Sequence, residues 1–424
     1  MATSYLAPGV YVEELATGSH VIEAVGTSIA GFVGRAPSGD AQENELVACS
    51  SWTMFASSFA PPGAASNALS HAVFGFFNNG GSYCYVVNVG AQGSLADGLR
   101  VLDQTDAISI VVCPGFEDVD SYEQVITHCE TRKDRFAILE TPPDVSNVNQ
   151  LVTVATSAPT ASAPAASGPP GGPAAGTAAG RAARDTSTAA DTAAPSQPPP
   201  RRPRNSSYAA VYYPRILVAD PLAPAVAGQP RPRSYISPSG HMAGIYARSD
   251  ASRGVHKAPA NEAVRGALGL ERLLTRGDQE ILNPAGVNVI RFFAAEGIRA
   301  YGARTLDLSN SEWKYINVRR IFIMLEQSIA RGTQWVVFEP NDASLWKSIR
   351  RDVTAFLNLI WRSGALMGRT ASEAFFVKCD EETNPPESIE AGRVVIMIGV
   401  APVRPAEFVI FRIGQHASGA NIES

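Results

Sequence analysis

The chain has 424 residues, against roughly 100–200 for a usual domain, so two or three domains with a sizeable core are expected. Hydrophobic residues make up 45% and charged residues 18%, a globular balance, and a formal charge of −5 excludes the basic field that wholesale nucleic-acid binding requires. The longest apolar run, 394–403, is about half a membrane span and is broken by Gly399 and Pro402, so no membrane insertion is expected. The opening Met1-Ala2-Thr3-Ser4-Tyr5 lacks the charged and apolar regions of an export signal, which predicts a soluble protein made in the cytoplasm. Cys49, Cys84, Cys113, Cys129 and Cys379 form no CxxC pair and read as free thiols.

In chain order, residues 10–13 form a short strand after Pro8-Gly9. Residues 68–77 read as a helix, followed by the turn Asn78-Asn79-Gly80-Gly81 and a strand at 83–89 (YCYVVNV). A buried-type strand at 107–113 (AISIVVC), an amphipathic helix at 121–133 and a second strand at 136–140 (FAILE) make a β-α-β unit. That unit predicts a parallel pair with a right-handed crossover. From about 155 to 207 the sequence collapses into Ala, Pro, Gly, Ser and Thr, which buries too little apolar surface to offset chain entropy, and the segment reads as a disordered insert. Arg201, Arg202 and Arg204 at its end read as a solvated linker end, with attraction of an acidic partner as the alternative. Residues 209–219 (AAVYYPRILVA) resume as one strand, so the insert interrupts a domain.

Downstream, Ser309-Asn310-Ser311-Glu312 has the spacing of a capping box. The helix after it carries Tyr315, Val318, Phe322, Leu325 and Ile329 at steps of three and four and ends at Gly332. Residues 335–339 (WVVFE) read as a strand. Asn341-Asp342 then cap a helix over 345–362, stopped at Gly364, with Leu345, Ile349, Val353, Phe356, Leu357 and Ile360 on one apolar face. Strands are expected at 394–400 and, after Pro402 and Pro405, at 407–413.

The motifs of catalysis are missing: no GxxxxGK, GxGxxG, HExxH or GxSxG occurs. Asp380, Glu381 and Glu382 lack the alternation of a calcium loop and read as solvated. His241, in Ser237-Pro238-Ser239-Gly240-His241, reads as a hydrogen-bonded structural histidine. A soluble α/β enzyme with a site around His241 and His256 is the alternative reading of the chain. The chain ends carry more physics. Phe408 and Ile410 face one way along the last strand, and Val409, Phe411 and Ile413 the other. An apolar, proline-isolated terminal strand is an aggregation hazard unless it is buried in its own subunit or pairs with another chain.

Pro8-Gly9-Val10-Tyr11-Val12-Glu13-Glu14, Gly26-Thr27-Ser28-Ile29-Ala30-Gly31-Phe32-Val33-Gly34 and Phe76-Phe77-Asn78-Asn79-Gly80-Gly81 closely resemble the start of contractile tail sheath proteins. Ser237-Pro238-Ser239-Gly240-His241-Met242-Ala243-Gly244, Gly254-Val255-His256-Lys257-Ala258-Pro259-Ala260-Asn261-Glu262, Phe338-Glu339-Pro340-Asn341-Asp342 and Pro405-Ala406-Glu407-Phe408 extend the resemblance across nearly everything but the insert. It implies a mixed α/β, multi-domain subunit, without catalytic, metal or cofactor site, of a phage tail or phage-tail-like injection particle. Such a subunit polymerises with itself around an inner tube protein, meets baseplate and terminal cap proteins, and contracts downhill from a metastable lattice without nucleotide hydrolysis.

Carried onto this chain, the resemblance implies an inner α/β domain built from N- and C-terminal segments, an outer α/β domain and two linking arms. The expected divisions are an arm at 1–20, body at 21–100, an outer domain at 101–255 interrupted by 155–207, a C-terminal sheath domain at 256–405 and an arm at 406–424. The arm strands, Val10, Tyr11, Val12 and Glu13 and then Phe408, Val409, Ile410, Phe411, Arg412 and Ile413, are expected to add to neighbouring subunits. The polar face of the helix over 345–362, with Lys347, Arg350, Arg351, Thr354 and Asn358, is expected to face an acidic inner tube.

Overall fold

The computed structural model describes residues 20–155, 199–224, 228–309, 312–408 and 410. The strand expected at 10–13 lies outside them. Among the described residues the first strands are Ala30–Gly34 (β1), Leu46–Cys49 (β2), Cys84–Asn88 (β3), Ile110–Val112 (β4), Phe136–Leu139 (β5) and Ala209–Tyr213 (β6). Ile216–Ala219 (β7), Arg233–Ile236 (β8), Glu262–Ala263 (β9), Gly269–Leu270 (β10), Val287–Phe293 (β11) and Gly297–Ala300 (β12) follow. Nine of these form one sheet in the order β2-β3-β1-β4-β5-β6-β11-β12-β9, parallel from β3 through β11, while β10-β7-β8 make a small antiparallel sheet. The large sheet takes strands from the expected segments 21–100, 101–255 and 256–405 alike.

Parallel strands need helical crossovers on both faces, which explains why β1, β4 and β5 are apolar at every position. Phe32, Ile110, Val112 and Phe136 point to one face, under helices Ala68–Asn78 (α2, after Trp52–Phe59, α1) and Ser239–Arg253 (α5). Val33, Val111 and Ala137 point to the other, under Leu95–Leu102 (α3) and Val119–Arg132 (α4). The β4–α4–β5 unit is the parallel β-α-β expected from the sequence. The α2–α5 crossing is so close that a Cβ on Gly240 would lie 2.3 Å from the Ala72 carbonyl oxygen, and one on Gly244 2.4 Å from that of Phe76. Those glycines are therefore packing requirements.

Several expectations need correction. The strand over 209–219 breaks at the cis Tyr213-Pro214 bond into β6, in the large sheet, and β7, in the small one. Arg201, Arg202 and Arg204 are not a solvated linker end. Arg202 is fully buried, and its guanidinium donates to the carbonyls of Ala285 (2.6 Å) and Leu306 (2.9 Å) and to Asn205 Oδ1 (2.7 Å). Arg204 pairs with Glu123 and Glu130 on α4. The chain's exit and re-entry lie side by side: Ala155 N–H donates to the Arg202 carbonyl at 2.8 Å and Arg201 N–H to that of Gln150 at 2.7 Å. The intervening 156–198 fall outside the described residues.

Beyond Arg276–Leu282 (α6), a second core gathers around Ile316–Gly332 (α7), Ala343–Arg362 (α8), Ala371–Ala374 (α9), Phe375–Lys378 (β13), Pro386–Glu390 (α10) and Met397–Val400 (β14). Its buried side chains include Ile321 and Leu325 of α7 and Leu345, Ile349, Val353, Phe356 and Leu357 of α8. Ile22 and Val25, from the start of the described chain, pack into the same core, so N- and C-terminal segments build one unit. Helix α7 starts after Tyr315, not at the expected capping box: Tyr315 makes no side-chain cap, and Ser309 Oγ donates to Asp307 instead. The strand expected at 335–339 is a 3₁₀ turn, Gln334–Val336, followed by a β-turn that the Glu339 N–H closes onto the Val336 carbonyl. The strand at 394–400 shortens to β14 and pairs with β13, which the sequence did not reveal.

Candidate polymer interface

Helix α8 is built from its cap upward. The Asp342 carboxylate accepts from the N–H groups of Ser344 and Leu345, both at 2.9 Å, satisfying two of the donors that a helix start leaves unpaired. With the apolar stripe on the core, the opposite face is fixed outward. It brings Lys347, Arg350, Arg351, Thr354 and Asn358 together around an open depression of about 480 Å³ that Val377 of β13 borders. Arg351 Nε lies 2.9 Å from the buried Asp352 carboxylate, so the depression holds three cations, one of them paired to an acid beneath it.

Beside it, β13 and β14 form a two-stranded antiparallel sheet with no third partner among the described residues. Phe376 and Met397 stay exposed on it. A lone pair of strands is marginal in water and leaves two rows of N–H and C=O groups open.

The root of the C-terminal segment is held by one carboxylate. Glu407 accepts from Arg304 Nε and Nη2, both at 2.8 Å, from Asn283 Nδ2 at 2.8 Å and from the Tyr315 hydroxyl at 3.0 Å. Burial works to raise its pKa, but these hydrogen bonds, Arg304 foremost, outweigh it and hold the carboxyl below its ordinary value. Just past this clamp, Phe408 and Ile410 are exposed and lie in no strand; Val409, Phe411, Arg412 and Ile413 are outside the described residues.

The alternative enzyme site does not assemble. His241 is fully buried near the start of α5 and His256 follows the helix's end, about 20 Å away along 1.5 Å steps. His241 Nδ1 has no partner among the described residues, and burial drives its pKa down to about 3. At the carboxyl end of β5, where an open α/β sheet would hold a ligand, the buried Glu140 instead accepts from the Ser239 hydroxyl. Asp380 is turned inward on its own loop, accepting from the Glu382 and Thr383 N–H groups.

Residues 205–306 match a model of the phage tail sheath protein central domain, and 309–415 one of the phage tail sheath C-terminal domain. The fold superimposes on the sheath complex of an extracellular contractile injection system, PVC, in its contracted state, with TM-score 0.71, 28% identity, and coverage of 98% of this chain and 99% of that one. Both matched models are of phage tail sheath domains. Among curated sheath proteins, that of Vibrio phage KVP40 is 29% identical over 178 residues, 41% of this chain and 26% of that protein. A putative prophage major tail sheath protein of Pseudomonas aeruginosa (strain UCBPP-PA14) is 30% identical over 181 residues, 41% of this chain and 45% of that protein. The match thus spans less than half the length of these two relatives. The depression on α8, the two-stranded sheet and the Glu407 root all lie within the match to the sheath C-terminal domain.

Sequence reasoning missed three features of this region. The β13–β14 pair is hidden because Phe375–Lys378 is short and follows a helix. The Arg304–Glu407 clamp joins residues 103 apart, a separation that no local pattern bridges. The turn at Phe338 was obscured by a strand-like composition.

Proposed function

We propose that this chain is the repeating structural subunit of a contractile sheath. It polymerises helically, in stacked rings around an inner tube, between baseplate and terminal cap proteins, and contracts to drive the tube through a target envelope. Assembly takes place in the cytoplasm, and the product is a phage tail or tail-like particle. The observation that carries the reading is likeness over 98% of the chain to a sheath subunit in the contracted state. Among the described residues no helix is long and apolar enough to cross a membrane.

In this reading segments 1–20 and 406–424 are linking arms, and their strands at 10–13 and 407–413 complete the two-stranded β13–β14 sheet of neighbouring copies. A head-to-tail contact of that kind generates a helical polymer. The basic face of α8 holds an acidic tube surface through exposed contacts worth about 0–1 kcal/mol each, weak enough to release together on contraction. Lys347→Glu with Arg351→Glu should abolish assembly on the tube and spare tube-free sheath polymers, both scored by negative-stain microscopy. Normal extended sheath on tube in low salt would sink the assignment of this face. Deleting 406–424 or 1–14 should stop polymerisation while circular dichroism shows the body still folded.

A further inference from the structure

Two features of Phe338 oppose folding, and nothing within the described subunit offsets them. Its ring is fully exposed, so no apolar burial is gained, and the neighbouring Val337 is exposed as well. Its φ of 72° falls at the third position of a type II turn, with Val337 at φ −66°, ψ 124° in the second and the Glu339 N–H donating to the Val336 carbonyl at 3.1 Å. That third position favours glycine, and a side chain there is strained. Strain and exposure at one aromatic residue indicate a contact that the described residues do not contain.

The course of the N-terminal segment points to what makes it. Val25 N–H donates to Ser328 Oγ at 3.0 Å, Ile22 lies against Gly332, and the His20 ring stacks on Trp335 at 4.2 Å. Read backwards, residues 25 to 20 follow the last turns of α7 and bring the chain to Trp335. Phe338 is three residues further, within about 11 Å even along an extended chain. Leu15, the first large apolar side chain before His20, has a reach of about 17 Å from it. A segment tethered so closely has an effective concentration of order millimolar, which favours it over a second molecule.

We propose that the turn at Phe338 is the docking post for this chain's own N-terminal segment, with Leu15 seated against Phe338 and Val337. This rests on reading 1–20 as a linking arm and adds its aim: the post sets the direction in which the strand at 10–13 leaves the body, and so which neighbour it meets.

The test uses the full chain carrying Leu15→Cys and Val337→Cys; the native cysteines are all buried. Mild oxidation should give a disulfide within one chain, seen as a faster-migrating monomer on a non-reducing gel. A ladder of cross-linked copies would assign the post to a neighbour's arm, and absence of any new disulfide would deny the contact; either overturns the proposal. Phe338→Gly suits the turn, so it should keep or raise Tm while amide exchange over residues 12–16 accelerates roughly ten-fold. Unchanged exchange would also overturn it. Polymerisation that survives deletion of 1–14 would instead refute the linking role and leave the intrachain disulfide standing, so the two readings fail separately.

Discussion

Glu140 and Glu407 are carboxylates pushed in opposite directions. Burial first, with the Glu117 charge helping, raises Glu140 to about 7 against the pull of the Ser239 hydroxyl and Arg215. Its contribution to stability is therefore complete below the unfolded carboxyl value of about 4.3 and is lost as pH rises through about 7. Glu140→Gln should flatten the fall in Tm between about pH 5 and 7.5, measured by differential scanning calorimetry. Glu407 has the reverse sign: with its pKa depressed, the clamp contributes above the unfolded value and is lost as pH falls through the lower folded one. Glu407→Gln should cost about 1.5–3 kcal/mol in urea unfolding at neutral pH, shrinking in acid. Neither environment was legible beforehand. A residue's own neighbours in sequence announce its chemistry but not its burial. Arg202 makes the same point, for its Pro- and Arg-rich surroundings suggested solvent while its partners came from residues some 83 and 104 positions away.

Helices were legible where one face alone was buried. Helix α8 keeps a clean stripe of apolar residues because solvent lies opposite it, and its cap stood in plain view. Asp342→Ala should lower stability by about 1 kcal/mol without changing the fold, as read from urea midpoints. Helix α5 was not read as a helix for the opposite reason: ten of its fifteen residues are buried, so no periodicity survives. The segment at 335–339 shows the converse error. Its Trp, Val and Phe have strand composition, but composition registers apolarity and not whether a neighbouring strand exists to pair with. Strands β4 and β5 lie inside a sheet and were recognised, though at three and four residues they are shorter than expected.

For the whole molecule, the alternating α/β pattern before the insert was correctly continued by β6, which pairs with β5 in parallel across it. That residues 199–207 pack on the body was not legible, since they share the composition of the segment before them. Replacing 157–198 by a short Gly/Ser linker should leave Tm and polymer formation intact. Extending the replacement to 204 removes Arg202 and strips partners from the buried carbonyls of Ala285 and Leu306, at about 1–3 kcal/mol for each group left unsatisfied. Thermal unfolding of the two shortened proteins distinguishes the cases.

The adjacency of Ala155 and Arg202 has a use in engineering. Their main chains are joined by a hydrogen bond, so whatever chain runs between them starts and finishes at the same point on the body. Each doubling of the length closed there adds only about 0.6 kcal/mol of loop entropy. A guest domain whose own termini lie close together can be spliced in at that point without prising the host's strands apart. In a helical assembly such a graft recurs once per subunit, turning the particle into a regularly spaced scaffold for enzymes, antigens or labels.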